Sequence, residues 1–264
     1  MKLDGKVVVV TGGGSGIGQE LVLALLARGA RVAAVDLRMD GLKETQTRAK
    51  AGDRLSLHEA NIADREAVMA LPDAIETAHG AVDALINNAG IIQPFEDFND
   101  LAFDVIDRVV DVNFGGPINM TKAFLPRLMA RPEAHLVNVA SMGAFIPFPG
   151  QTMYSATKAG VKLMTEGIYA ELMNSRVDVS VVMPGAVNTH ITENSGVKMS
   201  GSADASGARM TSAPDAARII LDGMEAGKLH ILVGSDSKML FRLVRLAPTW
   251  AIGFIQKQMA KMAK

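Results

Sequence analysis

The sequence contains no cysteine. That excludes a disulfide framework and any zinc site built on thiolates, and no metal site is expected. Net charge is also scarce: 27 basic against 28 acidic side chains leave −1. Nothing in that balance suggests a nucleic acid partner, whose phosphates attract a basic surface. No run reaches the ~18 apolar residues of a spanning helix. Met1 to Lys6 lacks the apolar core of a signal peptide. A soluble protein of the cytoplasm is therefore expected. No repeat recurs at solenoid spacing.

What is present is a chain of 264 residues, 48% of them hydrophobic, enough for one sizeable core. It is organised around residues 7–18. Val7 to Val10 fit a strand buried on both faces, as in a parallel sheet. Thr11-Gly12-Gly13-Gly14-Ser15-Gly16-Ile17-Gly18 follows as a glycine-rich turn. Gln19 to Arg28 reads as a helix, with Leu21, Leu25 and Leu26 on one face and Gly29 as its stop. A glycine cluster alone marks only a tight turn. Between a buried strand and a helix it is the opening of a dinucleotide-binding unit. There glycine lets backbone N–H groups approach a pyrophosphate, and the helix N-terminus favours its charge. Gly12, Gly16 and Gly18 follow G-x-x-x-G-x-G, not the commoner G-x-G-x-x-G.

Arg31 to Val35 is a second strand ending at Asp36, which lies 18 residues after Gly18. A carboxylate there accepts from the adenosine ribose hydroxyls and repels a 2′-phosphate. Arg38 is close by and could meet a phosphate instead, but the neutral Ser15 also argues for NAD. Residues 40–51 read as helix and 54–58 as a third strand. Asn61-Ile62 follows, where an amide could touch adenine. Residues 64–79 are an amphipathic helix with Val68, Leu71 and Ile75 inward. Val82 to Ile86 is a fourth strand, closed by Asn87-Asn88-Ala89-Gly90.

Residues 99–130 read as one long helical region. Asn113 sits inside it, where an amide is a poor helix former and, if buried, needs a partner. Leu136 to Ala140 is a fifth strand with Ser141 at its end. Phe145, Ile146 and Phe148 form an apolar loop that either lines a pocket or simply packs. In the helix 153–173, Tyr154 and Lys158 are four residues apart and share a face. Val177 to Met183 is a sixth strand, followed by Pro184-Gly185. Residues 190–212, rich in Ser, Gly and Ala, read as a mobile loop that orders over substrate. Residues 214–226 are helix, and Leu229 to Val233 is a seventh strand.

Taken singly, each polar residue has a bland explanation. Together, Thr11-Gly12-x-x-x-Gly16-x-Gly18, Asn87-Asn88-Ala89-Gly90, Asn113, Ser141, Tyr154-x-x-x-Lys158 and Pro184-Gly185 resemble the short-chain dehydrogenase/reductase family. The resemblance covers about residues 5–235. It implies an α/β fold with a doubly wound, Rossmann-like parallel sheet of about seven strands. It also implies a homo-oligomer, a dimer or tetramer. Residue by residue, Tyr154 would be the general acid/base and Ser141 would hold the substrate oxygen. Lys158 would bind the nicotinamide ribose and lower the Tyr154 pKa. Asn113 would hold a water of the proton relay. Gly12, Ser15, Gly16, Ile17 and Gly18 would meet the pyrophosphate region, with Asp36, Asn61 and Ile62 at the adenosine. Asn88, Ala89 and Gly90 would run along a ribose. Pro184, Gly185, Val187 and Thr189 would lie at the nicotinamide end. Hydride transfer moves charge onto a carbonyl oxygen, and a Ser–Tyr donor pair stabilises it.

The implied activity is NAD-dependent interconversion of a secondary alcohol and a ketone on a hydrophobic small molecule, sterol-, retinoid- or acyl-like. An NADPH-dependent 3-oxoacyl reductase is the alternative within the class. A cofactor-binding sensor without turnover is the alternative outside it. Two features depart from the family. Asn61 stands where an Asp is frequent. The chain also carries a basic, amphipathic extension over 237–264, beyond the domain at 1–236. Residues 238–264 hold six basic and no acidic side chains, so the remainder carries −7. Lys238, Arg242 and Arg245 form one helical stripe, and Met239, Leu240, Phe241, Leu243, Val244 and Leu246 cover the rest. Pro248 interrupts, and Trp250, Ile252, Phe254 and Ile255 follow. This extension fits a helix pair packed on the body or another subunit, a lid on the substrate pocket, or a basic anchor at a membrane surface.

Overall fold

The valine run forms β1 (Val7–Thr11). Each of its valines is at most 4% exposed. Val8 and Val10 enter one apolar layer with Leu21, Val22 and Leu25 of α1 (Gly16–Ala27). Val7 and Val9 enter the opposite layer with Val68, Leu71 and Ile75 of α3 (Arg65–His79). A strand covered on both faces has no solvent side to mark with polar residues, hence the unbroken run. The computed structural model describes residues 1–189, 191–197 and 210–262.

The remaining main strands are β2 (Arg31–Asp36), β3 (Leu55–Glu59), β4 (Ala84–Asn87), β5 (Ala134–Val139), β6 (Val177–Pro184) and β9 (His230–Val233). With β1 they make a seven-stranded sheet in the order β3-β2-β1-β4-β5-β6-β9. Every pairing is parallel. The chain winds outward from β1 to β3, then returns to place β4 on the other side of β1. That reversal opens a crevice at the carboxyl ends of β1 and β4, the ligand position of such sheets. Thr11 closes the gap between those strands. Its Oγ1 accepts from the N–H groups of Asn88 and Ala89, each at 3.0 Å.

Helices α2 (Met39–Ala49), α5 (Gly116–Met129), α6 (Thr152–Leu172) and α8 (Ala213–Glu225) complete the layers with α1 and α3. The single helix expected over 99–130 is three pieces. α4 (Phe103–Val110) gives way to a π-helical turn at Asp111–Gly115 before α5. The expected mobile loop at 190–212 lies outside the described residues at 190 and 198–209. Its described parts are ordered. Ile191–Asn194 makes a short helical turn, α7, and β7 (Val187–Asn188) pairs in parallel with β8 (Thr211–Ser212).

The extension is a helix pair, α9 (Ser235–Leu246) and α10 (Pro248–Met262). It begins two residues before the boundary read at 236–237. Leu240, Ala251 and Ile255 of the pair are buried together with Ile146, and Phe145 meets Phe241 edge-on at 5.2 Å. The apolar loop of residues 145–148 therefore does both things expected of it. Ile146 packs against the extension, whereas Phe148 also faces the crevice.

Candidate active site

The crevice widens into a cavity of about 550 Å³. Gly12, Ser15, Gly16 and Ile17 form one part of its wall, and Asp36, Asn61 and Ile62 another. Asn88, Ala89 and Gly90 follow, then Ser141, Tyr154 and Lys158. Pro184, Gly185, Val187 and Thr189 close the far side. Gly18 and Asn113 lie behind the wall instead of in it. A Cβ on Gly18 would stand 1.9 Å from the Gly12 carbonyl oxygen, so this glycine serves the close approach of α1 to β1.

The glycine turn fits an anionic ligand. Gly12 and Gly16 have φ of +70° and +53°, where a side chain is strained. A Cβ on Gly12 would also lie 2.9 Å from Asn88 Nδ2, whereas at Gly16 the nearest atom is Thr189 Cβ at 3.4 Å. The first N–H groups of a helix have no partner within it, and Gly16 and Ile17 at the start of α1 line the cavity. Asp36 stands beside them. One carboxylate oxygen accepts from the Gly14 N–H at 3.0 Å, the other from the Arg38 N–H at 3.0 Å. Both bonds fix the carboxylate at the end of β2.

Arg38 does not point freely into this space. Its Nη2 donates to Asn194 Oδ1 at 2.6 Å, and Asn194 Nδ2 donates to Ser15 Oγ at 3.0 Å. α7 is thereby strapped across the crevice. A further tether is Ser195, whose Oγ accepts from the Ile92 N–H at 3.0 Å. Nothing near Asn194 in the sequence marks this bridge, which joins residues 156 and 179 positions apart.

At the opposite end, Ser141 and Tyr154 lie side by side around Gly143. Ser141 Oγ accepts from the Gly143 N–H at 3.1 Å, fixing the turn after β5. Tyr154 stands in the first turn of α6. That turn is positioned by Gln93, a fully buried residue that no sequence motif marks. Gln93 Oε1 accepts from the N–H groups of Met153 and Tyr154 at 2.8 and 3.0 Å. The side chain so caps the helix from 60 residues away, where no local pattern reveals it.

Asn113 sits in the π turn, fully buried. Its amide answers both backbone groups of Ile91. Oδ1 accepts from the Ile91 N–H and Nδ2 donates to the Ile91 carbonyl, each at 2.8 Å. The buried amide thus finds its partner and pins the loop after β4. The π turn is what sets this side chain inward, a distortion frequent at functional sites.

Lys158 is 4% exposed and donates from Nζ to the Val139 carbonyl at 3.0 Å. Burial lowers its pKa to about 8, so the ammonium persists at neutral pH. Its Nζ is 6.0 Å from the Tyr154 ring centroid. The expected lowering of the Tyr154 pKa is corrected for the free protein. Burial pushes the phenol above its ordinary value, and the hydrogen bond with Ser141 offsets only part of that. Desolvating a phenolate outweighs a cation whose nearest bond is to a carbonyl.

Met142 and Phe148 flank this end with apolar surface, and Ile92, Phe95, Val112 and Arg108 also line the cavity. The cavity therefore has an end lined by the glycine turn and a carboxylate. Its other end holds a Ser–Tyr–Lys group beside apolar walls. Such an arrangement belongs to enzymes that hold a nicotinamide dinucleotide across the sheet's switch point and move a proton at a bound oxygen.

Comparison with known proteins agrees. Residues 6–199 match the short chain dehydrogenase family. SadH of Mycobacterium tuberculosis, named as an oxidoreductase, is 36% identical over 252 residues, 92% of this chain and 91% of its own. A short chain dehydrogenase from Burkholderia cenocepacia, solved in complex with NADP, is 28% identical with a TM-score of 0.81, covering 97% of this chain and 99% of that one. A 3-ketoacyl-(acyl-carrier-protein) reductase from Brucella melitensis, complexed with NADH, is 27% identical with a TM-score of 0.79, covering 88% and 96%. The chain belongs to the short-chain dehydrogenase family and is an NAD(P)-dependent oxidoreductase.

Proposed function

We propose that the enzyme interconverts a secondary alcohol and a ketone on an apolar small molecule, with NAD as the cofactor. The observation that carries this is the shared cavity: Ser141, Tyr154 and Lys158 gather at its apolar end, and the fixed carboxylate of Asp36 stands at the other. The nicotinamide, when bound, supplies or accepts the hydride. Ser141 and Tyr154 hold the substrate oxygen between their hydroxyl groups. In ketone reduction the Tyr154 Oη proton passes to that oxygen as negative charge develops there. In alcohol oxidation Tyr154 takes the proton back. Lys158 stays protonated and would hold the nicotinamide ribose of the cofactor. Asn113 holds the loop after β4 in place through Ile91.

Gly12, Ser15, Gly16 and Ile17 would receive the pyrophosphate, and Asp36 the adenosine ribose hydroxyls. Asn61 and Ile62 would bound the adenine; Pro184, Gly185, Val187 and Thr189 would bound the nicotinamide. Asp36 speaks against NADP, and so against an NADPH-dependent 3-oxoacyl reductase; the Brucella ketoacyl reductase is itself complexed with NADH. A homo-oligomer fits Phe103 on α4 and Leu163 and Met173 at α6, which are 83%, 70% and 66% exposed. The test is a panel of apolar and short-chain secondary alcohols assayed for reduced cofactor with NAD and NADP in parallel. NADH formation fastest with an apolar alcohol supports the reading. No turnover on any alcohol or ketone, with cofactor still bound, would instead mark a sensor.

A further inference from the structure

The hairpin of α9 and α10 has two faces of different kinds. Its inner face is apolar and covered: Leu240, Phe241, Ala251 and Ile255 are each at most 9% exposed. Its outer face is apolar too, but bare. Leu246 is 85% exposed, Trp250 60%, Met239 54% and Ile252 47%. Leu246 and Trp250 flank the Pro248 corner and so project from the hairpin's tip. Lys238, Arg242, Arg245 and Lys257 are exposed on the same pair of helices. The Arg245 guanidinium lies 4.0 Å from the Phe241 ring centroid, a cation–π contact at the hairpin's surface.

Charge decides what covers such a face. Residues 238–264 carry +6 with no acidic residue. A second copy related by a two-fold axis would set this basic patch against itself, and like charges across an interface repel. An anionic lipid surface presents the complementary charge together with an apolar layer beneath it. Basic residues beside exposed Trp and Leu on a helix are the composition of elements that lie in a bilayer interface. Among the described residues no helix is long and apolar enough to cross a membrane.

We propose that the α9–α10 hairpin seats on an anionic membrane surface. Leu246, Trp250 and Ile252 enter the boundary between headgroups and acyl chains, and Lys238, Arg242 and Lys257 meet lipid phosphates. The hairpin's inner face packs on Met142 and Phe148, which also line the cavity. The membrane contact therefore lies next to the apolar end of the site and favours substrates that partition into lipid. That last step rests on the proposed function; the membrane contact does not.

Trp250 is the only tryptophan of the chain, so intrinsic emission reports this face alone. Full-length protein is titrated with phosphatidylcholine vesicles, with and without phosphatidylglycerol, and with brominated acyl chains as quenchers. The expected result is a blue shift and quenching with anionic vesicles, lost in high salt and weak with pure phosphatidylcholine. The variant Lys238→Gln/Arg242→Gln/Lys257→Gln should partition roughly a hundredfold more weakly, from about fivefold per basic residue. Leu246→Ser should weaken binding severalfold with the charge intact. Both variants should keep the wild-type circular dichroism and melting temperature, and wild-type turnover of a short water-soluble alcohol. An emission unchanged by anionic vesicles overturns the proposal, as does equal binding to both vesicle types. A blue shift that grows with protein concentration without vesicles overturns it in favour of a second copy. Failure to turn over any alcohol would refute the functional reading and leave the vesicle result standing.

Discussion

Replacing Asp36 by Asn removes one charge at the end of β2 and keeps the side-chain shape. The wild-type carboxylate is held by the Gly14 and Arg38 N–H groups, each at 3.0 Å, so it cannot swing away from an incoming phosphate. At ~5 Å and an effective dielectric of ~20, each unit of 2′-phosphate charge is opposed by about 3 kcal/mol. Arg38 offsets part of that, but its Nη2 is already bonded to Asn194. A net discrimination of about 1.4–3 kcal/mol remains, a factor of roughly 10 to 150. Wild-type kcat/KM should therefore favour NAD over NADP by tenfold or more. In Asp36→Asn the ratio should fall at least tenfold, chiefly by a gain with NADP. The amide can accept from only one of the two N–H groups, so a stability loss of about 1–3 kcal/mol should accompany it. Initial rates with one alcohol and both cofactors give the ratio; the melting temperature gives the second effect. A wild-type preference for NADP, or an unchanged ratio in the variant, would refute the reasoning.

Two further outcomes follow from single contacts. Asn194→Ala cuts the strap between Arg38 and Ser15, so NADH should dissociate about five- to tenfold faster in stopped-flow fluorescence; an unchanged rate would show that α7 does not retain the cofactor. His135, buried in β5, shares a hydrogen bond with Ser180 Oγ at 2.8 Å, and Ser180 Oγ donates in turn to the Lys228 carbonyl. His135 Nε2 must therefore carry the proton, leaving Nδ1 buried without a partner. Burial, with the chain's amino group adding to it, lowers the His135 pKa from 6.5 to about 3. A lowered histidine contributes stability that is complete above pH ~6.5 and is lost as pH falls toward ~3, here at most about 4–5 kcal/mol. Urea midpoints should fall less steeply over that range in His135→Gln than in wild type. Equal slopes would contradict the assignment, and the lowered His58 and His79 act in the same direction in both proteins.

The fold was legible where a residue's role is decided by its neighbours in the chain. Val7 to Val10 announce a doubly covered strand because both faces of β1 are buried. Tyr154 and Lys158 share a face because four residues make about one helical turn. What the sequence hid depends on distant partners. Gln93 caps α6 across 60 residues, and Asn194 reaches residues on the far side of the crevice. The π turn at Asp111–Gly115 also has no periodicity of its own; it shows only once Asn113 is seen bonded to Ile91. The raised pKa of the Tyr154 phenol is not legible either, because burial is a property of the whole cavity and not of the Tyr-x-x-x-Lys spacing.

The central claim is that Tyr154 moves the proton at the substrate oxygen. Tyr154→Phe removes the hydroxyl and keeps the ring among its neighbours. Turnover of the best alcohol should fall by about 10²–10⁴-fold, the usual loss for a positioned acid/base, while NADH still binds with wild-type affinity by fluorescence titration. Turnover near that of wild type in this variant would contradict the account.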